Sequence, residues 1–261
     1  LAVVASGRKI KTLTAIVVIL VTSGLLALLF WPFIGLGHTS VISSGLFAVV
    51  LLSLTLNRKL AIDHPLIFLS LVLSMSFIIG NIWFPFMPFA AATVALTFIG
   101  LLQVQYQRGR KRVVIALLGV IAIATLAVLP RVLELISERD VLIVLAGATR
   151  NATPTLILVW LILCSLAVWA VTKRSKDQTL LGANLFGLTI GTLLASSVFL
   201  VITGMLASQG SSEYGYGANK YLVTSIAMSL PVLWFVLVLS RRRARTLVAS
   251  VTGLALAFGI F

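Results

Sequence analysis

The sequence predicts an all-α, polytopic transmembrane helical bundle of about nine spans, and three observations carry the prediction. Of its 261 residues, 60% are hydrophobic and only 10% charged, with a mean hydropathy of +1.16, whereas soluble domains run at about 45–50% apolar and about 25% charged. Apolar stretches near the ~20 residues that cross a ~30 Å hydrocarbon core recur along the whole chain. Lysine and arginine fall in clusters between those stretches. In hydrocarbon every backbone N–H and C=O must be paired within the protein, which leaves helices or closed barrels. A barrel requires alternating segments of ~10 residues, which this sequence lacks.

In chain order the spans read as 12–31, 41–56, 65–82, 87–104, 113–130, 154–172, 180–207, 221–240 and 246–261. Basic clusters precede the first span and then fill alternate connections: Arg8, Lys9 and Lys11; Arg58 and Lys59; Arg108, Arg110, Lys111 and Arg112; Lys173, Arg174 and Lys176; Arg241, Arg242, Arg243 and Arg245. The positive-inside rule makes those connections cytoplasmic in a plasma-membrane protein, with 32–40, 83–86, 131–153 and 208–220 facing outward. The chain therefore reads as a single membrane domain over 1–261 with two outer excursions: an interfacial helix and loop at 131–153, and a Gly/Tyr loop at 208–220. Trp31, Trp83, Phe84, Phe86 and Phe89 read as an aromatic belt at the outer interface, and Pro85 and Pro88 as a tight turn between spans. Residues 1–6 read as the tail of an earlier span, and the last apolar run is only ~16 residues. Both features predict a piece of a longer chain.

A net charge of +14 would point to nucleic acid in a soluble protein. Here it is a topology signal, so the predicted partners are the lipid bilayer and other membrane proteins, with no nucleic acid. The single cysteine, Cys164, lies in an apolar run, which excludes a disulfide within the chain and a sulfur-rich metal site. No P-loop, HExxH or GxSxG motif occurs, and His38 and His64 fall on opposite predicted sides, against haem ligation by a histidine pair. The spans hold almost no ionisable residues, against a proton pump or voltage sensor. The sequence indicates no cofactor and leaves a divalent metal open. Gly182, Gly187 and Gly191, with Thr189 and Ser196, read as a surface for close helix packing.

The polar chemistry gathers on the predicted outer side. Of the six acids, Asp63 and Asp177 stand beside cytoplasmic basic clusters, while Glu134, Glu138, Asp140 and Glu213 face outward. Glu134 and Glu138 are four residues apart and share a helix face. Two readings stay open for this segment: a helix lying on the membrane surface, or a polar cavity formed with Glu134, Glu138 or Asp140, in which Arg131, Arg139 or Arg150 binds phosphate through its guanidinium fork. In the second excursion glycines alternate with Tyr214 and Tyr216, so backbone and phenol rings can approach a ligand. Lys220 stands at the outer end of a span, against the usual sidedness. It reads either as a snorkelling lysine or, with Glu213, Tyr214, Tyr216 and Asn219, as a site for a sugar or phosphate headgroup.

The order of features over 108–240, ending in Tyr216-Gly-x-x-Lys220 at the head of a span, resembles the multi-spanning GT-C type glycosyltransferases of actinobacterial cell envelopes, including arabinofuranosyltransferase-like members. The resemblance implies sugar transfer from a polyprenyl-phosphate donor to a cell-envelope acceptor on the outer face. That family carries a catalytic acid in a large outer loop between its first two spans. No such loop occurs here, so only Tyr216 and Lys220 match and no catalytic residue is assigned. Two other functions compete: a transporter or lipid-linked-substrate flippase, and a non-catalytic accessory subunit of a membrane complex. The predicted topology places Ser212→Cys and Arg243→Cys on opposite faces. An impermeant maleimide added to sealed right-side-out vesicles labels the first and spares the second; labelling of both from one side contradicts the topology.

Overall fold

The computed structural model describes residues 39–82, 86–137, 154–172, 180–207 and 216–240. The predicted spans 12–31 and 246–261 lie outside them. The described residues form eight helices: α1 (Thr39–Thr55), α2 (Arg58–Asp63), α3 (Pro65–Ile82), α4 (Met87–Gln107), α5 (Lys111–Ser137), α6 (Pro154–Thr172), α7 (Leu180–Ala207) and α8 (Tyr216–Ser240). Four of them are long and apolar enough to cross a membrane: α3, α4, α5 over Lys111–Pro130 and α7 over Leu185–Ile202. Shorter apolar stretches occupy Ile42–Thr55 of α1 and Ile157–Thr172 of α6.

The boundaries follow local chemistry. The connection at 57–64 is itself a short helix, α2, because the Asn57 side chain accepts from the Leu60 N–H at 3.1 Å and caps it. Its far end closes when the His64 N–H donates to the Leu60 carbonyl at 2.9 Å. The α4–α5 turn depends on Gly109, whose φ of 67° lies in the left-handed region. There the Gly109 N–H donates to the Tyr106 carbonyl at 2.9 Å and the Arg110 N–H to the Gln105 carbonyl at 3.0 Å. This paired closure satisfies two terminal carbonyls of α4 and stops the helix. Pro88 sits in the first turn of α4, where a missing N–H is harmless. Pro130 does not end α5, which continues to Ser137; Glu134 therefore rides on the same helix as the span before it.

Three contacts fix which helix ends lie together. The Gln105 side-chain amide, late in α4, donates to the Ile62 carbonyl of α2 at 3.3 Å. Gly100, also late in α4, meets Leu181 at the start of α7. At the other end Phe86, just before α4, packs its ring on Tyr221 of α8 with centroids 4.8 Å apart. Two of the basic clusters, Arg58–Lys59 and Arg108–Arg112, thus share one end of the bundle, and their side chains are exposed there. Tyr221 and the head of α8 share the opposite end. Asp63 and His64 are exposed beside the basic end.

The helices divide into core and rim. α8 packs against α1, α6 and α7, α7 against α4 and α6, and α3 against α1 and α4. Every described side chain of α8 from Asn219 to Val236 is buried except half-buried Val223. By contrast, Leu117 is the only buried one among the described side chains of α5. Exposed Ile115, Ile123 and Leu126 turn outward from α5, as hydrocarbon-facing residues do.

Two local expectations are corrected. Phe86 and Phe89 do not form an interfacial belt: both are fully buried, in an edge-to-face pair 6.3 Å apart. Their rings fill the space where α4 starts against α8, and two carbon-only rings need no polar neighbour. Gly191 does not make the close helix approach, since a Cβ added there meets open space. Gly100 does, because a Cβ would come within 3.3 Å of Leu181 Cδ1 and 3.5 Å of its backbone nitrogen. Gly100→Val is expected to lower stability by about 1–3 kcal/mol through overpacking. Gly119→Ala, where nothing lies within 4 Å, is expected to leave the melting temperature in detergent unchanged or higher. Equal melting of both variants contradicts the Gly100–Leu181 packing.

Candidate functional site

The head of α8 carries the residues of interest. Tyr216 is its first residue and Lys220 lies one helical turn on, so the Tyr-Gly-x-x-Lys segment is helix rather than loop. Asn219 is 1% exposed and Lys220 8% exposed. Lys220 is therefore enclosed by the bundle rather than extended into its surroundings. A buried cation is expensive by several kcal/mol unless its charge is met by other groups. Its backbone is fixed as well, because the Thr224 hydroxyl donates to the Lys220 carbonyl at 2.7 Å.

Around this turn two side-chain links tie α8 to its neighbours. The Tyr221 hydroxyl lies 2.8 Å from Ser196 Oγ of α7, while its ring packs against Phe86. Two turns further along, the Trp160 indole of α6 donates to Ser229 Oγ at 2.7 Å, and Ser229 donates to the Ser225 carbonyl at 2.7 Å. Most other hydroxyls in this part of the core turn back on their own helix. Thr189 donates to the Leu185 carbonyl and Ser197 to the Leu193 carbonyl, each at 2.8 Å. Such back-bonding satisfies a hydroxyl in apolar surroundings without a partner helix.

The structure separates the two groups of sequence-predicted residues. Glu134 is exposed on the last turns of α5, a helix that packs on α3 and α4, whereas Asn219 and Lys220 belong to α8, packed on α1, α6 and α7. Arg131 is on α5, three positions before Glu134. Glu138, Asp140, Arg150, Glu213 and Tyr214 lie outside the described residues. Cys164 is buried in the core of α6. Among the described residues no group of three or more His, Cys, Asp or Glu side chains is placed to hold a metal.

Sequence reading missed Tyr221, Trp160 and Ser229, and took Phe86 for an interfacial ring. A signal was present for α8: Lys220–Thr224 and Ser225–Ser229 repeat at four residues, the spacing of one helix face. Trp160 and Phe86 had no such signal, because each sits beside apolar residues that look the same whether they face protein or lipid.

A second feature lies between α3, α4 and α5. It is an apolar groove of about 480 Å³, lined by Leu73, Ser76, Gly80, Ala91, Phe98, Ile121 and neighbouring residues. Met87 lines it too and directly follows Phe86, so the groove begins beside the Phe86–Tyr221 contact. Compared with protein-family models, with curated proteins and with solved structures, the chain matches none.

The two roles of Tyr221 separate by substitution. Tyr221→Phe keeps the ring stack and loses the bond to Ser196, an expected cost of about 0.5–1.5 kcal/mol. Tyr221→Ala loses the stack as well, at about 3–5 kcal/mol. Reversible unfolding in mixed micelles measures both, and equal losses contradict the division.

Proposed function

We propose that the chain is a plasma-membrane protein of about nine spans that acts on a lipid-linked phosphate at its outer face, transferring a sugar from a polyprenyl-phosphate donor to a cell-envelope acceptor. The observation that carries this reading is Lys220, a lysine only 8% exposed, at the end of the bundle opposite the exposed basic clusters. A cation withdrawn from solvent meets a phosphate with little competing water, where the attraction is far stronger than in bulk solvent. In this reading the basic clusters are cytoplasmic, and 131–153 and 208–220 face outward. Asn219 offers an amide to the sugar or phosphate oxygens. Tyr221, held by Ser196 and Phe86, keeps the first turns of α8 in register. The acceptor hydroxyl requires a general base within hydrogen-bond reach, a role assigned to no residue of this chain.

A second reading, transport or flipping of a lipid-linked substrate, draws on the buried hydroxyls of α7 and α8. Those of Thr189, Ser197 and Thr224 are already satisfied by bonds to their own helices, which favours the first reading.

The test is binding and transfer by the full chain in nanodiscs. Wild type is expected to bind polyprenyl phosphate and to transfer labelled sugar from the polyprenyl-phosphate sugar. Lys220→Ala is expected to lose more than tenfold in affinity, with Lys220→Arg retaining part of it. Unchanged affinity in Lys220→Ala removes the lysine from the site. Binding without transfer by wild type contradicts the glycosyltransferase reading and supports the transporter.

A further inference from the structure

We infer that the basic end of the bundle, where α2 meets the α4–α5 turn, binds the phosphate headgroup of an anionic phospholipid in the adjoining leaflet. The inference stands independently of Lys220 and of sugar transfer.

Sidedness requires cations in a connection, but it does not require two connections to be joined. Here they are joined, because the Gln105 amide of α4 donates to the Ile62 carbonyl of α2 at 3.3 Å. Gln105 stands three positions before Arg108, and Ile62 three positions after Lys59. One bond therefore holds the segment of Arg58 and Lys59 to that of Arg108, Arg110, Lys111 and Arg112, and all six side chains are exposed. Opposing charge is scarce. Among the described residues the acids are Asp63 and Glu134, and Glu134 is removed from Lys111 by about 34 Å of α5 at 1.5 Å per residue. Lys111 and Arg112 also occupy the first turn of α5, which holds no acid. Their charge adds to the positive end of the helix dipole instead of offsetting it, and an anion placed there relieves both.

Depth and side-chain type select the anion. The lengths of α4 and α5 able to cross hydrocarbon are Met87–Gln107 and Lys111–Pro130, so only Arg108, Gly109 and Arg110 separate them. So short a turn keeps its cations at the level of the lipid phosphates, whereas a soluble acidic partner would be met by a longer connection clear of the headgroups. Tyr106, 75% exposed on the last turn of α4, sets a phenol ring at the same level, where such rings favour the membrane interface. Four of the six cations are arginines, whose guanidinium forks match two phosphate oxygens at once. Basic pockets between spanning helices hold anionic headgroups by this chemistry.

The experiment titrates the full chain, in phosphatidylcholine nanodiscs, with phosphatidylglycerol carrying a photoreactive group on its headgroup. One cation near an anionic surface is worth about fivefold in affinity. Joint substitution Arg108→Gln, Arg110→Gln and Arg112→Gln is therefore expected to raise the half-saturating lipid fraction more than tenfold. Lys173→Gln, Arg174→Gln and Lys176→Gln together remove the same charge from another basic cluster and are expected to change it less than twofold. Equal losses in the two triple variants reduce the effect to net charge and overturn the inference. A measurement on wild type covers misfolding or inversion of the arginine variant. Crosslinks to 58–64 and 106–112 are expected to exceed those to 173–177 several-fold, and to be displaced by unlabelled phosphatidylglycerol but not by added phosphatidylcholine. Equal labelling of all three segments, or displacement by inorganic phosphate as complete as by phosphatidylglycerol, overturns it as well.

Discussion

The structure depends on one constraint: inside hydrocarbon, a backbone amide finds no water, so each segment must bond to itself or to protein. Helices answer that demand along their length, and the chain is helical throughout its described residues apart from short connections. The demand is sharpest at helix ends. Asn57, His64 and Gly109 meet it at the basic end, where α2 and the α4–α5 turn close with their carbonyls and amides paired. Those same connections carry the exposed lysines and arginines.

A second consequence concerns what holds the helices to one another. Lipid is as apolar as leucine, so the hydrophobic effect gives little reason for two spans to prefer each other over the bilayer. Close approach and side-chain hydrogen bonds decide instead. Gly100 lets α4 reach the backbone of α7. Tyr221 bonds to Ser196, and Trp160 bonds to Ser229. The two hydrogen bonds converge on α8, which is the best-buried helix described and holds Asn219 and Lys220 inside the bundle. The cost of enclosing Lys220 is therefore borne by the same packing that fixes α8.

The helices were legible because twenty-residue apolar runs are a coarse signal that tertiary contacts seldom override. Seven of the predicted segments coincide with described helices, with shifts at their ends. The head of α8 starts at Tyr216 instead of 221, and α5 passes through Pro130. Which helix is core and which is rim was less legible, since residues facing lipid and residues facing protein are both apolar. One partial signal exists: α8 carries Asn219, Thr224, Ser225, Ser229 and Ser240, whereas α5 has only Thr125 and Ser137 of those residue types. Small and hydroxyl-bearing residues favour helix contacts in membranes, and that contrast agrees with the burial found. The aromatic belt was misread at Phe86 and Phe89 for the same reason, because a ring next to a span end serves interface or core equally well. Of the candidate site, Lys220 and Asn219 could be named from sequence, but their enclosure could not.

Lys220 is enclosed at the end of the bundle opposite Lys59 and Lys111. Amine labelling of the native chain in sealed proteoliposomes, read lysine by lysine by mass spectrometry, tests it directly. With an impermeant reagent, Lys59 and Lys111 should react from one and the same side, while Lys220 stays protected from both sides until the protein is unfolded. Reaction of Lys220 as fast as Lys111, or reaction of Lys59 and Lys111 from opposite sides, would contradict the account.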